Sequence, residues 1–185
     1  MRRAWPGPLG ALRGFILSLA LQFVVEYYWH VAMHWRPLYA RFHSLHHFSK
    51  APTPFDDLLI HPLEAAGYYC ILYSPAFVVP DLFVGSFLLY MAVCGVCGVT
   101  DHCGLVVRCG SLYNAAEHDL HHSAGFGAGV FVNLGFPFMI MDRLHGTFVP
   151  CPAKPTPACV NTNNIRLHKK MMRRDLRQQT RDRWC

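Results

Sequence analysis

Charge is scarce in this chain. Asp, Glu, Lys and Arg make up 15% of its 185 residues, against 52% hydrophobic ones, and mean hydropathy is +0.19. Soluble domains carry about 25% charged residues, so the composition argues against a surface built only for water. Acids are the scarcer sign, 11 against 17 bases. They supply no set of paired E-x-x-H motifs, which excludes a carboxylate-built metal centre of the helical-bundle type. Paired cysteines are lacking as well. Cys70, Cys94 and Cys97 lie in apolar stretches, where a free thiol packs as a small hydrophobe; Cys109, Cys151, Cys159 and Cys185 show no zinc-like pairing. "CGVC" at 94–97 imitates a redox motif, but it sits in an apolar run with Gly95 and Gly98, where close helix packing is the expected role. No small-residue cleavage site follows the apolar run "FILSLALQFVVEYYW" at 15–29, which argues against a signal peptide and for a first membrane span.

Histidine is what the chain has in excess. Of 12 histidines, eight fall into three boxes: "HVAMH" with His30 and His34, "HSLHH" with His43, His46 and His47, and "HDLHH" with His118, His121 and His122. Residues i, i+3 and i+4 share one face of a helix. One such box alone reads equally as a solvated helix end. Repetition of H-x-x-H-H decides for a metal, because buried imidazoles need partners for their ring nitrogens and neutral imidazole is the commonest metal ligand. His61 in "IHPLE" and His102 in "TDHCG" flank a long apolar stretch and join the candidates; His145 and His168 are left over. These candidates are too many for one four-ligand structural zinc. They suffice for two five- or six-coordinate ions with open positions, and imidazole suits iron as well as zinc and copper. Glu26, Glu64, Asp101, Glu117 and Asp119 stand near the boxes. Each is expected either to accept the outer N–H of a ligating ring or to serve as an ordinary cap or surface acid.

Residues 66–100 contain one charge, Asp81, beside Pro80. The pattern predicts a hairpin of two spans, 66–79 and 82–100, averaging about 17 residues and roughly 26 Å, near the lower limit for crossing a bilayer. A buried helix pair in a soluble protein is the alternative. Two spans return the chain to the side it left, so the boxes at 30–47 and 118–122 can meet, and the first span puts the N-terminus opposite. All Lys and Arg except Arg2, Arg3 and Arg13 then fall on the histidine side, which favours a cytosolic site; the basic start "MRR" argues weakly the other way. Residues 126–141, broken by Gly135 and Pro137, are expected to pack along the membrane surface or to close a cavity. A proline-rich linker and a basic tail occupy 150–185. The tail is expected at the cytosolic membrane face rather than on nucleic acid.

The boxes, together with "HPLE", "DHCG" and the closing "MDRLHGT", resemble the fatty acid hydroxylase/sterol desaturase superfamily from about Glu26 to Thr147. "HPLE", "HCG" and "LHGT" lean toward its C-4 methylsterol oxidase branch, and "TPFDDLLIHPLE" echoes sterol C-5 desaturases. The resemblance implies a multi-pass endoplasmic-reticulum enzyme with two non-haem irons. Such an enzyme uses O2, and electrons passed from NAD(P)H through a separate donor such as cytochrome b5, to hydroxylate or desaturate a lipid. It implies metal ligation by the eight box histidines, by His102 and, less directly, by His61. It also implies a further membrane hairpin ahead of the first box, so the 29 residues before His30 suggest a shortened or minimal member.

The expected fold is thus all-α and membrane-integral, with transmembrane helices topped by a cytosolic, helical, histidine-rich di-metal site. The expected division is 1–29 (N-terminal segment and first span), 30–149 (di-iron domain with its hairpin) and 150–185 (linker and tail). A sterol is the expected substrate; a fatty acyl or sphingolipid is the alternative, and nothing in the pattern sets an oligomeric state. A histidine-rich metal transporter would need ionisable residues within the spans, and a bis-histidine haem protein needs only two axial rings. An inactive scaffold relative keeps the same boxes.

Overall fold

The computed structural model describes residues 1–49, 53–105, 107–110, 112–123 and 129–151. The linker and basic tail expected beyond residue 151 lie outside the described residues. The longest helix, α1 (Gly7–Met33), starts with Pro8 in its first turn and runs through the apolar stretch without an internal proline. At 27 residues it extends about 40 Å. It stops where His34 caps it and the chain turns, through the short helix α2 (Arg36–Leu38), into a π-turn at Tyr39–His43 and a 3-10 turn at His46–Phe48.

A further 3-10 turn at Pro54–Leu58 leads into α3 (Pro62–Tyr73) and α4 (Pro75–Val78). The expected 66–79 leg is therefore helical but begins earlier, at Pro62, and breaks at Pro75. Proline cannot donate the i→i−4 hydrogen bond, and Ser74 Oγ instead donates to Ile71 O at 2.7 Å. After a turn with Asp81 at φ 53°, α5 (Val84–Asp101) returns the chain. Two-residue strands β1 (Arg108–Cys109) and β2 (Tyr113–Asn114) pair antiparallel, so the fold is not purely α as expected. Helices α6 (Ala115–Ser123) and α7 (Ile140–His145) follow.

Helix α1 packs against α5, α3 and α4. Leu19, Leu72, Val79, Leu82, Phe87, Tyr90, Cys94 and Phe136 form the main core. Polar ties hold the helices in register: Tyr90 donates to Gln22 Oε1 (2.8 Å) and Leu72 O (3.0 Å), and Ser86 to Ala11 O (2.8 Å). Such interhelical hydrogen bonds are effective where water is absent.

The two ends of this bundle differ. At one, the Arg2 backbone pairs with Leu82 and Val84 (2.7 and 3.0 Å), placing the N-terminus beside the α4–α5 turn. At the other, the C-terminal ends of α1 and α5 and the start of α3 gather the histidines. Among the described residues two helices, α1 and α5, are long and apolar enough to cross a membrane. Only 22% and 33% of their apolar stretches are buried within the protein, where a soluble core helix would be mostly covered. Leu9, Leu12, Ile16, Val24, Leu88, Leu89 and Val96 face outward from them.

Candidate metal centre

The last turns of α1 carry His30 and His34 four residues apart. The π-turn and 3-10 turn present His43, His46 and His47, α5 ends on His102, and α6 carries His118, His121 and His122. All nine rings are buried. They divide into two groups. His30, His34, His43, His47 and His121 form one; His46, His102, His118 and His122 form the other; within each, all candidate ligand atoms lie within 4.8 Å of one another. Each H-x-x-H-H box splits in the same way. Its i and i+4 rings join one group and its i+3 ring the other, with the groups exchanged between the two boxes. A single box thus serves both centres.

The geometry fits a metal. A metal–imidazole bond of about 2.1 Å places neighbouring ligand nitrogens of an octahedron about 3 Å apart and opposite ones about 4.2 Å apart. The Nε2 atoms of His30 and His43 are 3.1 Å apart, and those of His43 and His47 are 3.2 Å apart. In the second group His122 Nε2 lies 3.1 Å from that of His118 and 3.2 Å from that of His102.

Proton positions sharpen the point. His30 Nδ1 donates to Leu134 O (2.8 Å), His121 Nδ1 to Val132 O (2.7 Å) and His102 Nδ1 to Gly98 O (2.8 Å). A carbonyl can only accept, so each of these rings turns an Nε2 lone pair inward. His121 Nε2 is fully enclosed without a hydrogen-bond partner, a costly arrangement unless a cation sits there. Burial, reinforced by the neighbouring imidazoles, holds His43, His46, His118, His121 and His122 well below the usual histidine pKa. They are therefore neutral at pH 7, as metal ligands must be.

The surrounding acids depart from expectation in part. Glu64 Oε1 accepts from His43 Nδ1 at 2.5 Å, and burial pushes its carboxyl up to about 7; its Oε2 has no partner. Glu26 bonds Gln22 rather than a ring. Asp101 accepts from Tyr113 Oη at 2.6 Å, not from the adjacent His102. Glu117 and Asp119 are half-buried, and among the described residues neither is hydrogen-bonded to a ring. Most of the roles expected of carboxylates fall to backbone carbonyls.

His61 joins neither group. Its Nδ1 accepts the Leu63 N–H at 3.2 Å and caps α3, with its ring against Phe42. A histidine ahead of a Pro-initiated helix serves as an N-cap by the same local pattern that "HPLE" presents as a ligand motif. His145 stacks on Tyr27 and bonds Tyr28 Oη at 3.0 Å, away from both groups.

Three positioning residues carry no signal in the histidine pattern. Asp57 Oδ1 stands 3.4 Å from His102 Nδ1. Asp142, fully buried, accepts from Leu134 N (2.8 Å), Gly135 N (2.6 Å) and Thr147 Oγ1 (2.7 Å). It clamps the loop that supplies carbonyls to His30 and His121, and a Cβ at Gly135 would come within 2.5 Å of its Oδ2. Asn133, at φ 52°, ties the same loop to Glu117 O and to both backbone groups of Val149. Asp57 and Asp142 do fall inside "TPFDDLLIHPLE" and "MDRLHGT". Of the two roles expected for the segment before α7, the described part takes the closing one, since Phe136 lines the cavity described next.

That cavity, of about 70 Å³, touches both groups. His30, His43, His46, His102 and His118 line it with Glu26, Asp57 and Glu64, and Trp29, Met33, Ile60, Tyr68 and Phe136 give it apolar walls. It can hold a small polar centre beside a greasy ligand.

A sequence model of the fatty acid hydroxylase family matches residues 15–147. Among curated proteins, the chain is 30% identical over 139 residues to a sphingolipid C4-hydroxylase of Schizosaccharomyces pombe, covering 71% of this chain and 46% of that one. It is 34% identical over 126 residues to a Delta(7)-sterol 5(6)-desaturase of Gibberella zeae (65% and 34%) and 31% identical over 127 residues to lathosterol oxidase of Mus musculus (65% and 40%). The chain spans less than half the length of each of these relatives. No solved structure matches it.

Proposed function

The chain belongs to the fatty acid hydroxylase family, and from that premise we propose that it is an O2-dependent oxidoreductase acting on a membrane lipid, with an iron ion in each histidine group. The carrying observation is the convergence of nine buried imidazoles into two groups with lone pairs turned inward. Two reduced irons bound there would activate O2, the oxidant that the attack on an unactivated C–H bond requires. His30, His34, His43, His47 and His121 hold one ion, and His46, His102, His118 and His122 the other. Glu64 and the carbonyls of Val132, Leu134 and Gly98 fix the rings so that Nε2 faces the metal. Trp29, Met33 and Phe136 keep water from the cavity, and Glu64, with its carboxyl near neutrality, can hold or release a proton at Oε2 beside His43.

Hydroxylation and desaturation both begin with cleavage of a C–H bond, so one cavity serves either outcome. Helices α1 and α5 embed the protein, with the Arg2 end on one face and the histidines on the cytosolic face of the endoplasmic reticulum. Electrons come from NAD(P)H through a separate carrier such as cytochrome b5. A metal-transport role is disfavoured because residues 84–100 of α5 carry no ionisable acid or base except thiols and Tyr90, and the buried Glu26 and His30 of α1 lie in its last two turns, at the histidine end. Sterol and sphingolipid profiles of cells with and without the protein test the reading. Accumulation of an unoxidised lipid in the deficient cells is expected; unchanged profiles of both classes contradict it.

A further inference from the structure

A second cavity, of about 160 Å³, lies between α3 and α5. Tyr69, Leu72, Met91 and Gly95 line it, while Asp57, Ile60 and Tyr68 are shared with the histidine-lined cavity. The two spaces are therefore neighbours across a single layer of side chains. Tyr69 and Gly95 are exposed, and Gly98 is buried against Asp57, with a Cβ there only 3.0 Å from the carboxylate oxygens. A Cβ at Gly95, by contrast, would meet nothing within 4 Å. The slot is thus open beside Gly95, and α5 is one of the two helices, among the described residues, fit to lie in a bilayer.

We infer that this slot is the lateral entrance through which a lipid inserts a single alkyl chain from the bilayer toward the metal centre. The inference rests on the lipid-oxygenase reading above and narrows its substrate class. Its occupant follows from three features. Apart from Asp57 and the hydroxyls of Tyr68 and Tyr69, the lining is apolar, as a hydrocarbon chain requires. The volume is below the about 300–1,000 Å³ of pockets that enclose a compact ligand of several rings, whereas a flexible chain threads such a slot one segment at a time. At the inner end, the buried and unpartnered Oε2 of Glu64 offers an acceptor to a hydroxyl or amide N–H on the incoming molecule. Tyr68 and Ile60 stand between slot and centre and set how far the chain reaches.

The test uses the full chain in phosphatidylcholine nanodiscs, with two photoreactive probes: a saturated fatty acid carrying a diazirine near its methyl end, and a diazirine-bearing cholesterol. The expected result is labelling of Tyr68, Leu72 or Met91 by the alkyl probe. That labelling should be lost in Gly95→Phe and kept in Gly95→Ala, with metal content equal in all three, while the sterol probe labels only outward faces. Alkyl labelling that spares the slot, alkyl labelling that persists in metal-replete Gly95→Phe, or equal entrance of the sterol probe overturns the inference. The two readings fail separately. Slot labelling without any O2-dependent lipid turnover contradicts the oxygenase reading alone; turnover without slot labelling contradicts the entrance alone.

Discussion

The two histidine groups are built from the same boxes but are not held alike. In the five-histidine group, His30, His43 and His121 have their outer nitrogens fixed by Leu134 O, Glu64 and Val132 O. In the four-histidine group His102 is fixed by Gly98 O, while the outer nitrogens of His118 and His122, like that of His47 in the first group, lack partners. Outer hydrogen bonds fix ring orientation and raise ligand basicity. The first group is therefore the preorganised site and the second the adaptable one. One ion should be held firmly and the other should follow more easily when the ligand field changes.

The largest effect should come from removing a ligand. His121→Ala and His122→Ala should each abolish O2-dependent turnover, yet they strike different groups. Each should cost one metal ion and spare the other, with membrane insertion intact; His145→Ala should cost neither. Loss of both ions from either variant would show that the two groups are one site.

Acid should strike both groups together. The buried rings have folded pKa values below the ordinary 6.5, so their contribution to stability is present above that pH and is lost as pH falls. Each proton taken up on unfolding then costs about 1.4 kcal/mol per pH unit. The metal-free protein should thus melt at steadily lower temperature as pH falls below 6.5. Glu64 acts oppositely: its raised pKa contributes fully below its ordinary 4.5 and loses that contribution as pH rises through about 7. A melting temperature that is flat from pH 7 to 5 would contradict the buried neutral rings.

Glu64→Gln separates the groups again. The amide keeps an acceptor for His43 but loses the charge, so affinity at the five-histidine group should fall by about 10–100-fold, while the other group is unaffected in a chelator competition. Asp142→Asn should be the mildest. It leaves Gly135 N–H facing an amide NH2, at about 1–3 kcal/mol for the orphaned donor. It should loosen the carbonyls behind His30 and His121 without disturbing His118 or His122, which hydrogen exchange at Leu134 and Gly135 would reveal.

How much of this was visible beforehand follows from range. The boxes and the apolar runs of α1 and α5 are local patterns, and nine of the ten candidate histidines are brought together by the fold. The division of each box between two groups depends on how α1, α6 and the π-turn meet, and no local spacing encodes that. Carbonyls of Gly98, Val132 and Leu134 carry no side-chain signature, so acids were expected where backbone does the work. Pro75 breaks the first leg, yet a kinked helix and a straight leg share the same apolar composition. His61 shows the limit most plainly, since a helix cap and a ligand can share the same short motif.

The most direct test of the central claim is metal analysis and Mössbauer spectroscopy on the full chain purified without oxygen after growth in iron-57. The account predicts two non-haem irons per chain in nitrogen-rich environments that give two distinguishable signals, the four-histidine site emptying first under a chelator. A single zinc, a haem, or only one iron in the unaltered chain that is unchanged in both His121→Ala and His122→Ala would contradict it.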